Sequence, residues 1–97
     1  MSLPVVLTPE AQAEFDDAAD WYEQQAGLGA DFTAAVRDVL NRIAAIPRVH
    51  QVVYKDIRRA VVRRFPYSVF YRVDPDRVTV IAVFDNRRDP TIWRSRA

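Results

Sequence analysis

Ninety-seven residues, 49% of them hydrophobic and 28% charged, suffice for one domain (residues 1–97) around one core and not for two. The absence of cysteine excludes disulfides and thiolate metal sites, and a single histidine, His50, excludes a conventional histidine-rich metal centre. The net charge of +1 hides an asymmetry. Residues 1–50 carry three arginines against eight acids, whereas residues 51–97 carry ten arginines and one lysine against five acids, so the second half suits a polyanion or an acidic partner.

Val5-Val6-Leu7 is a short apolar run and reads as a first strand. Thr8-Pro9-Glu10 reads as a helix start, with a capping hydroxyl, a proline at the first helical position and an acid in the first turn. Ala11, Phe15, Ala18, Tyr22 and Ala26 recur at helical spacing and form one face, opposite Asp16, Asp17, Asp20 and Glu23. Gly27-Leu28-Gly29 breaks that helix. A second is predicted from about Asp31 to Ile46, with the stripe Phe32, Val36, Val39, Leu40, Ile43 and Ile46, ended by Pro47. So short a break predicts an antiparallel helical hairpin.

After Pro47 the period changes. Residues 48–56 form a polar connection with a short strand at Val52–Tyr54. Ile57 to Phe65, Tyr67 to Val73 and Arg77 to Phe84 are rich in β-branched and aromatic residues and read as strands. "DPDR", residues 74–77, makes the last two a hairpin. The last run is apolar on both faces and belongs in the middle of the sheet. The expected fold class is α+β, a small single domain of order β-α-α-β-β-β, with the helical hairpin packed on one face of a mostly antiparallel sheet.

Arg58, Arg59, Arg63 and Arg64 fall on one predicted strand, where a period of two puts Arg59 and Arg63 on one face and Arg58 and Arg64 on the other. Arg87, Arg88, Arg94 and Arg96 flank Trp93 on the tail. That mixture suits phosphates, bases or an acidic helix, while a lone tryptophan equally suits a plug in the core. Asp85 and Asp89 have no histidine near them in sequence and are expected to bond Arg87, Arg88 or turn amides. With two glycines in the chain there is no glycine-rich phosphate loop, and neither metal nor cofactor is expected. No apolar run is long enough to cross a bilayer and no charged-then-apolar leader opens the chain, so a cytoplasmic protein without membrane contact is expected.

"AEFDDAADWYEQQAGLGADFTAAVRDVLNRIAAIP", "RRFPYSVFYRV" and "VTVIAVFDNRRDPTIW" together resemble the RelE/ParE superfamily of bacterial toxins from type II toxin–antitoxin pairs. Arg64-Phe65-Pro66-Tyr67, Tyr71-Arg72-Val73, Arg87-Arg88-Asp89-Pro90 and Trp93 carry the most specific likeness. Gly27 to Phe32 followed by Pro47 is similar to the ParE-like, plasmid-stabilisation branch. The resemblance implies a cytosolic toxin neutralised by a cognate antitoxin, in a heterotetramer, whose target is DNA gyrase or the ribosome. RelE-like members cut messenger RNA through attack of a 2′-hydroxyl on the neighbouring phosphate, which needs a proton acceptor, a cationic clamp and a proton donor. ParE-like members poison gyrase by binding. Against the nuclease pattern, Ser68 stands where an arginine is usual, Val61 where a lysine is, Trp93 near the place of a terminal tyrosine and Asp85 where histidine is common. As a ribonuclease the chain would have only Arg59, Arg87 and Arg88. As a ParE-like binder its expected working surface is Arg58, Arg59, Arg63, Arg64, Arg87, Arg88, Trp93, Arg94 and Arg96.

Overall fold

A computed structural model describes residues 2–97. The helical hairpin is α1 (Pro9–Ala26) and α2 (Gly29–Ala45). Thr8 caps α1, its Oγ1 accepting from the Ala11 amide at 3.2 Å, with Pro9 at the start and Glu10 in the first turn. Thr8→Ala should therefore lower stability by about 1 kcal/mol, read as a shifted urea midpoint at constant slope.

Gly27 closes α1 in the left-handed region at φ 66°, and the amides of Gly27 and Leu28 return to the carbonyls of Glu23 and Tyr22. Gly29 then begins α2 two residues earlier than the predicted Asp31, because its amide is capped from outside the helix by Glu23 Oε1 at 3.1 Å. A Cβ at Gly29 would stand 2.9 Å from Glu23 Cβ and 3.0 Å from the Ala19 carbonyl, so the two helices approach too closely for any larger residue. Two expected stripe members miss the core. Ala26 is exposed on the last turn of α1, and Ile46, just past α2, is 56% exposed.

The sheet holds five strands, β1 (Val5–Leu7), β2 (Val52–Tyr54), β3 (Ile57–Val61), β4 (Tyr67–Val73) and β5 (Val78–Asp85), in the order β1-β5-β4-β3-β2. β1 lies parallel to β5 and every other pair is antiparallel. β5 is interior, as its two apolar faces predict. The strand predicted over 57–65 ends at Val61, however. Residues 62–66 turn instead, with Arg64 at φ 74°, and the Val62 amide donates to the Tyr67 carbonyl to start β4. The last strand begins at Val78 rather than Arg77. The short strand β2 and a short helix after β5, α3 (Thr91–Arg94), extend the expected order to β-α-α-β-β-β-β-α.

The sheet separates two apolar clusters. Ala60, Val62, Val69, Tyr71, Val78, Val80 and Val83 meet the hairpin residues Ala11, Ala18, Phe32, Val36 and Ile43. Tyr71 is wholly buried there, and its hydroxyl donates to the Pro47 carbonyl at 2.7 Å, which gives a buried polar group its partner and ties the end of the hairpin to β4. On the opposite face Ile57, Phe70, Ile81, Ala82 and Phe84 lie beneath Trp93. A bulge opposite Phe70 and Tyr71 lets the consecutive residues Ile81 and Ala82 share this second cluster.

Candidate functional site

Alternation along β3 brings Arg59 to the face away from the helices, opposite Phe70 of β4. There its Nε donates to Ser68 Oγ at 2.9 Å, and Ser68 Oγ donates to Asn86 Oδ1 at 2.7 Å. The direction of this chain is forced. Arginine can only donate, so the serine hydroxyl accepts from it and spends its single proton on the amide oxygen. Among the described residues the Asn86 Nδ2 donors and the Arg59 Nη groups have no hydrogen-bond partner.

The turn after β5 supplies the next cation. Asp85 accepts from the Arg87 amide at 2.9 Å, from its Nε at 2.9 Å and from Nη2 at 2.7 Å, and the Arg88 amide donates to the Asp85 carbonyl at 3.1 Å. The Arg87 guanidinium holds the Asp85 carboxyl below its ordinary range. Arg88 is thereby directed over the ring of Phe84, 5.0 Å from its centroid. Asp89 accepts from the Thr91 amide at 3.0 Å as α3 begins, and α3 presents Arg94 at 5.4 Å from the Tyr54 ring and 5.5 Å from that of Trp93. Trp93 itself is 4% exposed. It stacks on Phe70 at 4.0 Å and 18° and meets Tyr54 edge-on at 6.0 Å.

The outcome is a cleft of about 220 Å³ walled by Arg59, Arg88, Arg94 and Asn86 over a floor of Phe70, Phe84 and Trp93, with Asp85 at its margin. The three arginines make no salt bridge among the described residues; their partners are a hydroxyl and aromatic faces, which orient a guanidinium without cancelling its charge.

Of the nine expected surface residues, the fold gathers four here: Arg59, Arg88, Arg94 and, as floor rather than surface, Trp93. Arg58 faces the helices, where it donates to the carbonyls of His50 at 2.7 Å and Arg48 at 3.1 Å and so staples the connection before β2. Arg63 and Arg64 sit in the turn after β3, not on a strand, and line a different groove with Asp31, Asp38, Val39 and Val61. Arg87 is exposed and occupied by Asp85.

Arg96 is also engaged internally. β1 pairs with β5 only as far as Val80, which leaves the upper edge of β5 without a strand. Glu14 Oε1 accepts from the Val83 amide at 3.2 Å, Arg96 Nη1 donates to the Ile81 carbonyl at 3.0 Å, and the two side chains join each other through two 3.0 Å bonds. Glu14 and Arg96 thus finish the ladder. Sequence reasoning missed Glu14 and Asn86 as contributors, and treated Ser68 only as a departure from a nuclease pattern. A serine near the start of a strand whose next three residues are apolar or aromatic was the one available signal for the relay.

The cleft can hold an anion but has little means to move a proton. Arginine side chains offer donors and no acceptor, and Asp85, with its pKa lowered, is a weak base near neutrality. Tyr67 and Tyr71, whose pKa values burial raises, belong to the helix-facing cluster, and His50, whose pKa burial and two arginines lower, packs edge-on against Tyr71 and does not line the cleft. Among the described residues no group of three or more acids or histidines could hold a metal ion, and no helix is long and apolar enough to cross a membrane.

This architecture, a helical hairpin on a five-stranded sheet with a cationic cleft on the far face, is that of a small α+β domain. A solved chain of the chromosomal ParDE TA system from P. aeruginosa shares the fold, with a TM-score of 0.65 and 19% sequence identity over 87% of this chain and 96% of that one. A search of curated proteins returned no match. The family model of the ParE toxin of the type II toxin–antitoxin system parDE matches residues 5–90, and the chain belongs to that family. The matched region takes in Arg59, Ser68, Asn86 and Arg88 and stops short of Trp93, Arg94 and Arg96.

Proposed function

We propose that this protein is the toxin of a type II toxin–antitoxin pair, held inactive by a cognate antitoxin, and that it acts on DNA gyrase by binding rather than by cutting a nucleic acid. Family membership supports the toxin role. The cleft carries the choice of mechanism. It concentrates three guanidinium groups that make no salt bridge among the described residues, and its lining holds no histidine, cysteine, tyrosine or lysine. Cleavage of a phosphodiester without acid or base would forgo most of the rate, because such groups act as a set. The antitoxin, expected in a heterotetramer, would use the second groove, between α2 and the turn after β3. There the exposed Val61 lies among Arg42, Arg63 and Arg64, which outnumber Asp31 and Asp38 on the same walls, a mixed groove suited to an amphipathic segment with acids facing the arginines.

Induction of the lone chain should arrest growth and co-expression of the neighbouring antitoxin gene should relieve it, which separates a toxin from an inert relative. With purified gyrase and supercoiled DNA the chain should stabilise cleavage complexes, and their absence at growth-arresting doses would sink the gyrase assignment. The runner-up is ribosome-dependent messenger RNA cleavage, favoured by the convergence of Arg59 and Arg88 in one cleft. Codon-specific cuts in primer extension, lost in Arg88→Ala, would establish it instead.

A further inference from the structure

We infer that the cleft on the open face is a phosphate-binding site, built to receive the phosphate of a nucleotide or of a nucleic-acid backbone. It rests on the cleft itself and stands whether or not gyrase is the target.

Three observations carry it. First, the cations come from three separate elements, Arg59 from β3, Arg88 from the turn after β5 and Arg94 from α3, yet they line one concavity. Like charges gathered in this way repel one another, and a bound anion relieves that cost. Second, each is oriented by a partner that leaves its charge intact: Ser68 Oγ for Arg59, the ring of Phe84 for Arg88, and the rings of Tyr54 and Trp93 for Arg94. Elsewhere in this half of the chain Arg72, Arg77, Arg87 and Arg96 face carboxylates of the same chain. Asp85, the one acid at the margin, is occupied by Arg87. Third, the relay from Arg59 through Ser68 to Asn86 consumes the asparagine's oxygen and leaves its Nδ2 donors for a ligand, so the fourth wall also offers hydrogen to an acceptor.

The donor count selects phosphate over carboxylate. A carboxylate presents two oxygens with about four acceptor sites, which two guanidinium forks fill, whereas the oxygens of a phosphate accept from several forks at once. Three forks and an amide exceed what an acidic side chain can use. The aromatic floor, itself buried, holds the guanidinium planes in place before the ligand arrives, which spares the cost of ordering long side chains on binding.

The test uses the full chain carrying Trp21→Phe. Trp21 is 54% exposed and is the only other tryptophan, so Trp93 in the cleft floor becomes the sole indole reporter. Its emission is followed at fixed ionic strength while pyrophosphate, a 5′-mononucleotide, a short oligodeoxynucleotide or a glutamate-rich peptide is added. Saturable binding of the phosphate ligands, weakened at least tenfold by Arg59→Gln and by Arg88→Gln and unchanged by Arg77→Gln on the distant β4–β5 turn, is the expected result. Equal affinity for pyrophosphate and the oligonucleotide would identify the phosphate group alone as the ligand, and a clear preference for the oligonucleotide would identify a nucleic-acid backbone. No saturable response to any phosphate ligand, tighter binding of the acidic peptide, or an equal loss from Arg77→Gln would each overturn the inference. The titration contains no gyrase, so its failure is distinct from failure of the target assignment.

Discussion

Phe32→Ala is expected to lower the free energy of unfolding by about 3–5 kcal/mol, the range for emptying a buried aromatic site. A domain of this size has roughly 5–15 kcal/mol in total, so the variant should sit near the threshold of folding at growth temperature. The reason is connectivity as well as area. Phe32 is fully buried at the start of α2. It stacks on Tyr22 of α1 at 5.1 Å and 25°, and meets Phe65 at 5.2 Å, Tyr67 of β4 at 5.1 Å and Phe15 at 6.2 Å, all edge-on. One ring therefore joins both helices of the hairpin to the sheet and to the turn that replaces the end of the predicted strand. Its removal opens a void that no single element can collapse into without disturbing the others. Urea unfolding followed by far-ultraviolet dichroism measures the change. Ile46→Ala, at a site 56% exposed, is the control and should stay within about 0.5 kcal/mol of the parent. A loss below about 1.5 kcal/mol for Phe32→Ala would mean that the aromatic cluster repacks freely and is not the hub described here.

What could be read from the residues in advance was whatever depends on local period. Thr8, Pro9 and Gly27 mark the ends of α1 because capping and left-handed geometry are properties of a few adjacent residues. The two apolar faces of β5 place it inside the sheet because burial on both sides needs apolar residues at every position. The failures have the opposite character. Arg63 and Arg64 read as strand because their neighbours Val61, Val62 and Phe65 have strand chemistry, yet the ladder ends at the pair Val61 and Ser68 and Arg64 adopts a positive φ that nothing nearby announces. α3 is four residues long, too short to display a helical period. The union of Glu14 with Arg96 spans 82 positions, and Arg58 donates to backbone carbonyls that carry no side-chain signature. The basic character of the second half was legible from counting. Which arginines keep their charge available was not, because that depends on which carboxylates the tertiary fold brings within reach.

Trp93→Ala should release the tail from the sheet without unfolding the domain. A four-residue helix has no stability of its own in water, since the cost of the first turn is never recovered over so short a length. α3 is held where it is by the stack of Trp93 on Phe70, the edge contact with Tyr54 and the grip of Arg96 on Glu14 and the Ile81 carbonyl. Deleting the indole removes the largest of these. The nominal cost of emptying such a site is about 3–5 kcal/mol. Because the segment is terminal, the loss is capped at the free energy of docking the tail, and beyond that point the chain frays instead. The amides of Arg94, Ser95 and Arg96, bonded to the carbonyls of Pro90, Thr91 and Trp93, should then lose hydrogen-exchange protection, while those of β4 and β5 keep most of theirs. Trp93→Phe should retain most of the protection, since a smaller ring can still stack on Phe70. Arg94 loses one of its two aromatic seats in the alanine variant, so the cleft opens on one side and its hold on anions should weaken together with the tail. Unchanged exchange at residues 94–96 would mean that the Arg96 and Glu14 pair alone docks the tail, and double substitution of Trp93 and Glu14 would then be needed to free it.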